Sequence, residues 1–400
     1  MYLDNAAATE IDPRVLETMM PFLTTYFVNP SPLYAAAVAS RSAIDRARQT
    51  ITEVLSTTAD TILFTSGGTE STNMAILGLA RSYTSAMTHK KAPHIITTKI
   101  EHHAVLHPIR QLEKEGFAVT YLSVNSDGQI SVDEFKKTLR PETVLVSIMY
   151  TNNEIGTVLP IADIGREILR WRKEQGTVFP YFHTDACQAA AYLDLTVEKL
   201  HVDLLSANGS KIYGPKGSGI LYKRRGVPLQ PLMYGGGQEY GLRSGTENVL
   251  AIVGLGSAFA QIRKSGDKEY KKIAKLRNYF WQHIQKKIRG VILNGPNLDL
   301  ERGTRLPNNL NIMFHGVDAE AIILYLDAAG IACSSGSACT TDSDDVSHVL
   351  LAIGRTVSQA KSSIRFTLGK YTTKKDIDYV VKSLGEIIRK LEKSLNESRG

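Results

Sequence analysis

Residues Tyr181 to Lys223 read YFHTDACQAAAYLDLTVEKLHVDLLSANGSKIYGPKGSGILYK. YFHTDA, VDLLSA and GSGILYK are short apolar runs that mostly lack the polar alternation of half-exposed strands, the pattern of strands buried on both faces. Upstream, TILFTS, HIITTKI, AVTYLSV and TVLVSIMY repeat it, with helical stretches such as ADIGREILRWRKEQG between several of them. Strand–helix alternation of this kind predicts an α/β domain on a mostly parallel sheet. Near its start, DPRVLETMMPFL predicts a helix capped by Asp12 with Pro13 as its first residue.

Around residue 260 the pattern changes. Long helical segments appear (KEYKKIAKLRNYFWQHIQKKIRG), then short strands near NNLNIMF and SIRFTLG. The chain closes with an amphipathic helix that puts Ile377, Val380, Val381, Leu384, Ile387, Ile388 and Leu391 on one face. Thr373 is positioned to cap it, with Asp376 in the capping-box place usually held by glutamate. The expected organisation is a large domain over 14–262, and a smaller α+β domain made of 1–13 and 263–400.

The chain has 400 residues, enough for two cores. No run of about twenty apolar residues is present, so no membrane span is expected. MYLDNAAATE lacks the basic and apolar regions of a secretory signal. The three cysteines, Cys187, Cys333 and Cys339, include no CxxC pair. Together these features lead us to expect a reducing cytoplasm. The net charge of +7 is spread among acids. Its one visible cluster, Arg389, Lys390 and Lys393, reads as a solvated helix face, and direct nucleic-acid binding is not expected.

Four pieces suggest chemistry. FTSGGTESTN (Phe64 to Asn73) joins a strand to a helix through Gly67, Gly68 and Thr69, where free amides can cradle a phosphate. It matches neither a Walker loop nor GxGxxG. In EHHAVL, His102 follows a strand and could stack on an aromatic ring and exchange protons near neutrality, or be structural. No HExxH or Cys/His ligand set accompanies it, so no metal is expected. Asp185 ends an apolar strand, where a buried carboxylate needs a cation and a pyridinium nitrogen would supply one; a helix cap is the plain alternative. Gln188 could reach the same ligand. Lys211 sits in a Gly/Ser-rich turn that can hold a Schiff-base amine still, unless it is simply a surface lysine.

In this order the pieces resemble a cysteine desulfurase of the NifS/IscS type, within the class V aminotransferase family of fold-type I pyridoxal-phosphate enzymes. The resemblance runs from end to end through YLDNAAAT, TSGGTEST, EHHAVL, TNNEIG, HTDACQ, the lysine segment, GGGQEYGLRSGTEN, SSGSACT and SIRFTLG. It implies pyridoxal phosphate bound to Lys211, which then moves the substrate α-proton. It implies Asp185 on the pyridine nitrogen, His102 stacked on the ring and active in proton transfer, and Gln188 on the phenolic oxygen. Asn153 would sit beside that oxygen and the substrate. Gly68, Thr69, Asn208 and Ser210 would surround the phosphate, and Thr246 would reach the phosphate of the neighbouring subunit in a homodimer. Arg365 would clamp the carboxylate of L-cysteine. Cys339 would take the substrate sulfur as a persulfide, releasing L-alanine. A sulfur-acceptor protein, either an iron–sulfur scaffold or a tRNA-thiolation relay protein, would then receive the sulfur. Asp342, Asp344 and Asp345 lie close to Cys339 in sequence and disfavour its thiolate, so deprotonation is expected only near the cofactor, with His102 as the candidate base.

The chain departs from the family at several places. Asn208 and Ser210 stand where serine and histidine are usual before the lysine. Both can still hydrogen-bond a phosphate oxygen, but a possible cation is lost, so weaker retention of the cofactor is expected. Tyr34 replaces a histidine usual near the substrate entrance, and Gln238 and Tyr240 replace His and Arg of a GGGHERG pattern. Two other readings also fit the sequence: another class V enzyme such as a selenocysteine lyase, and a weakly active cofactor-binding scaffold protein.

Overall fold

The computed structural model describes residues 1–86, 91–298, 303–335 and 346–397. The apolar runs become a seven-stranded sheet. Its strands are β1 (Ile62–Thr65), β2 (His94–Thr98), β3 (Ala118–Leu122), β4 (Thr143–Ser147), β5 (Tyr181–Asp185), β6 (Leu204–Asn208) and β7 (Gly219–Lys223), in the order β1-β7-β6-β5-β4-β2-β3. Only β7 runs against its neighbours. Strands β1, β2 and β4 are buried at every residue, as their unbroken apolar character requires, while edge strand β3 is mostly half-buried.

A three-stranded antiparallel sheet stands apart: β8 (Val291–Asn294), β9 (Asn309–Phe314) and β10 (Ser363–Thr367), in the order β10-β9-β8. The N-terminal residues lie beside it through bridges from Tyr2 to Ala332 and from Asp4 to Thr367. The closing helix Lys374–Glu397 buries Ile377, Val380, Val381, Leu384 and Ile388. Its cap is as expected: Thr373 N–H donates to Asp376 Oδ2 at 2.8 Å, and Asp376 N–H donates to the Thr373 hydroxyl at 3.3 Å.

Two elements differ from the sequence reading. The expected helix after Asp12 is two pieces, Pro13–Met19 and Pro21–Thr24, because Pro21 has no N–H to continue the first ladder. Asp12 does cap it, accepting from Arg14 N–H at 2.9 Å. The second difference is a single 39-residue helix, Val249–Lys287, that runs through position 262. It packs closely on the helix Ala35–Leu55: a Cβ on Gly256 would lie 2.7 Å from Ala47 Cα. No helix among the described residues is long and apolar enough to cross a membrane.

Candidate active site

The site collects at the carboxyl ends of the parallel strands, where open α/β sheets bind ligands. The turn after β1 leads into the helix Gly68–Asn73, which continues through a π-helical turn, Met74–Gly78, and the helix Leu79–Ala86. Gly67 has φ 155° and ψ −179°, a conformation that belongs to glycine. The first-turn amides have no carbonyl of their own helix to bond and point outward for an anion. The cradle admits no side chain: a Cβ on Gly68 would meet Cys187 Sγ at 2.5 Å and Asn208 Nδ2 at 3.3 Å. Gly219 pairs with Thr65 on one side and Asn208 on the other, and a Cβ there would lie 2.7 Å from Gly67 Cα. Strand register thus holds the turn against Asn208. Glu70 in the first turn is offset by Arg243, whose Nε donates to it at 2.8 Å.

Asn208 Oδ1 is buried without a partner. A half-turn about χ2 exchanges that acceptor for the amide NH2, a donor of the kind a phosphate needs. The glycine cradle, the first-turn amides and this orphaned amide fit a phosphate group.

Asp185 ends β5 and is 8% exposed. Its Oδ1 accepts from Cys187 N–H at 2.9 Å, so it makes the cap-like contact and still has Oδ2 to offer. Burial raises the Cys187 thiol well above its ordinary value, with Asp185 adding to the effect, and this suits a structural cysteine. His102 caps the helix His103–Lys114: its Nδ1 accepts from Ala104 N–H at 3.1 Å, which leaves the ring proton on Nε2 when the ring is neutral. Burial lowers its pKa; Asp185 opposes that, while Lys211, His107 and Arg365 add to it. Beside it, Glu101 is fully buried, accepting from the Thr98 hydroxyl at 2.8 Å and from Met149 N–H at 3.0 Å. Burial, reinforced by Asp185, pushes Glu101 up to about 8.

Lys211 closes the turn Gly209–Lys211 after β6, and its Nζ donates to the Ala7 carbonyl. Two residues on, Tyr213 has φ 62°, unusual for a bulky side chain. Its N–H donates to the Thr9 hydroxyl at 2.8 Å, its hydroxyl accepts from Lys370 N–H at 2.8 Å, and the Lys370 ammonium lies 4.0 Å from its ring centroid. These contacts hold the turn from outside.

Gln188 Nε2 donates to the Ala6 carbonyl at 2.9 Å, leaving a second N–H. Arg365, on β10, is 3% exposed. Its Nη2 donates to Asp4 Oδ1 at 2.7 Å and its Nη1 to the Asn153 carbonyl at 3.2 Å, while Nε is buried without a partner. Next to Asn153, Glu154 accepts from the Ser347 hydroxyl, and burial pushes it up to about 7. Ser210 binds Thr9 through its carbonyl, and Thr246 is exposed. Cys339 and the three nearby aspartates lie outside the described residues. Tyr34 and Tyr240 are exposed, and Gln238 accepts from Gly245 N–H at 3.1 Å. Sequence reasoning passed over Asp4, Glu101, Glu154 and Tyr213. All four stood inside quoted stretches, but nothing local marked them.

The chain belongs to the class-V aminotransferase family, whose profile matches residues 1–380. Enzymes of this family use pyridoxal phosphate. A cysteine desulfurase IscS of Dictyoglomus turgidum is 47% identical over 391 residues, covering 98% of this chain and 95% of that one. A cysteine desulfurase IscS of Clostridium botulinum is 46% identical over 389 residues, covering 97% and 94%. Among solved structures, a NifS-like protein superposes with a TM-score of 0.88 at 36% identity, covering 98% of this chain and all of that one. SspA in complex with cysteine superposes with a TM-score of 0.77 at 36% identity, covering 93% and 99%. Identity at this level over nearly the whole chain places the protein in the cysteine desulfurase branch of its family.

Proposed function

We propose that this chain is a pyridoxal-phosphate-dependent cysteine desulfurase that takes sulfur from L-cysteine, releases L-alanine and carries the sulfur as a persulfide on Cys339 to an acceptor protein. The observation that carries the reading is the buried Arg365 guanidinium with its unpartnered Nε, together with Asp185 at the end of β5 and Lys211 in the turn after β6, beside a glycine cradle fit for phosphate. When bound, the cofactor supplies an electron sink for the substrate α-carbon.

The side chains divide the remaining work. Lys211 attaches the cofactor and then moves the α-proton at Nζ. Asp185 holds the ring nitrogen through Oδ2. His102, neutral near pH 7, covers the ring with its proton on Nε2. Gln188 gives its second N–H to the phenolic oxygen, beside Asn153. Gly68, Thr69, Asn208 and Ser210 hold the phosphate, and Thr246 reaches that of a partner subunit. Arg365 binds the substrate carboxylate; its unpartnered Nε supports that role.

The test is mass spectrometry after exposure of the purified holoprotein to L-cysteine, with alanine assayed in parallel. One added sulfur is expected on Cys339. Cys339→Ala should keep the cofactor yet lose at least ~1,000-fold in alanine release, as loss of a covalent nucleophile does. Wild-type protein that releases no alanine would sink the proposal.

A further inference from the structure

The N-terminal segment is threaded through the candidate site. Asp4 binds Arg365, the Ala6 carbonyl takes Gln188 Nε2, the Ala7 carbonyl takes Lys211 Nζ, and Thr9 donates to the Ser210 carbonyl through both its N–H (2.7 Å) and its hydroxyl (3.1 Å). The segment is fixed along β10. Thr367 N–H donates to the Leu3 carbonyl at 2.7 Å, and Ala6 N–H donates to the Thr367 hydroxyl at 2.9 Å. The Tyr2 hydroxyl closes the curve on the Ala8 carbonyl at 2.8 Å. Asp4 therefore meets Arg365 from a rigid backbone, although 361 residues separate the two.

We propose that Asp4 is a positioning residue for the substrate carboxylate, holding the Arg365 guanidinium in the plane that turns its Nε–H edge toward the bound amino acid. The inference rests on the reading of Arg365 given above. A guanidinium has five N–H donors. Asp4 takes one at Nη2, the Asn153 carbonyl takes one at Nη1, and Nε has none. Such one-point pairing leaves Nε–H and an adjacent N–H for a planar carboxylate, which needs two parallel donors.

A side chain as buried as Arg365 also needs a counter-charge before substrate arrives. The other groups around this pair are poor candidates. Glu154 is held up to about 7 and Cys333 up to about 12, each chiefly by burial, and Tyr2 is raised by burial and by Asp4. Asp4 is the carboxylate that meets the guanidinium directly, at 2.7 Å.

The experiment compares wild-type holoprotein with Asp4→Asn and Asp4→Glu. It reads KM and kcat for L-cysteine, and Kd for L-alanine and for cysteamine from the spectrum of the bound cofactor. Cysteamine carries the amine and thiol without the carboxylate. Asp4→Asn should raise KM for L-cysteine and Kd for L-alanine about tenfold, the worth of one charge-assisted hydrogen bond, with kcat and cysteamine binding little changed. Asp4→Glu should recover most of the affinity.

A cycle with Arg365→Gln guards against a variant that fails to fold, since that background has no buried cation to leave unpaired. There Asp4→Asn should add no further loss. Unmoved KM and Kd in folded Asp4→Asn, equal loss for cysteamine, or the same tenfold loss on top of Arg365→Gln would each overturn the proposal. Absence of L-cysteine turnover in wild type would instead strike the desulfurase reading, and the L-alanine arm would still judge Asp4.

Discussion

Glu101 and His102 are adjacent, and burial drives both toward neutrality from opposite sides: Glu101 up to about 8, His102 down. For Glu101 the folded pKa lies above the ordinary 4.5, so the folded state holds a proton that the unfolded chain releases. Its contribution to stability is full below pH 4.5 and is lost as pH rises through about 8. At about 1.4 kcal/mol per pKa unit, this is an effect of several kcal/mol. Glu101→Gln mimics the protonated form. Denaturant unfolding of the variant should match wild type near pH 5 and exceed it by pH 9, and parallel curves would show that Glu101 ionises freely. The candidate side chains at this scale were legible because each stands next to a strand end or turn: Lys211, Asp185, His102. Glu101 was not, because nothing beside it in sequence marks how deeply Met149 and Thr98 bury it.

At the scale of elements, every strand of the large sheet was visible as an apolar run, and the two helix caps read from sequence, at Asp12 and Thr373, formed as read. Less visible was how one element limits another. The phosphate turn depends on Gly219, which is distant in sequence and set against Gly67 by the pairing of β7 with β1. A Cβ there would meet backbone rather than a movable side chain. Gly219→Ala should therefore displace the turn and lose cofactor on dialysis at least ~10-fold faster than wild type, with a drop in Tm. Asn208, at the end of β6, abuts the same cradle, and Ser210 lies in the turn that follows. Restoring an imidazole with Asn208→Ser and Ser210→His should slow cofactor loss, and retention unchanged in that double variant would remove the case that this cradle holds phosphate weakly. The long helix Val249–Lys287 is a further case: its composition changes near residue 260, but its backbone does not.

For the whole molecule, the exposed apolar side chains bear on the proposed homodimer. Phe27, Leu33 and Tyr234 are large apolar side chains left 73%, 87% and 82% exposed. Their two segments flank the helix Ala35–Leu55: one leads into it, and the other packs on it through Glu239, which takes Arg48 Nη2 at 2.7 Å. Thr246, also exposed, follows in the second segment. A homodimer formed through this face would bury the apolar side chains and bring each Thr246 toward the partner's phosphate turn. Mixing two defective proteins tests this directly. Lys211→Ala cannot attach cofactor, and Thr246→Ala lacks the crossing hydroxyl. In a mixed dimer, the site built on the intact lysine meets the intact threonine of the other subunit, whereas its companion site carries both defects. Random re-pairing makes half of the dimers mixed, each with one sound site of two, so about a quarter of wild-type activity should return from two impaired parents. If Thr246 served the phosphate of its own subunit, each chain would carry its own defect, and the mixture would show only the average of the two parents.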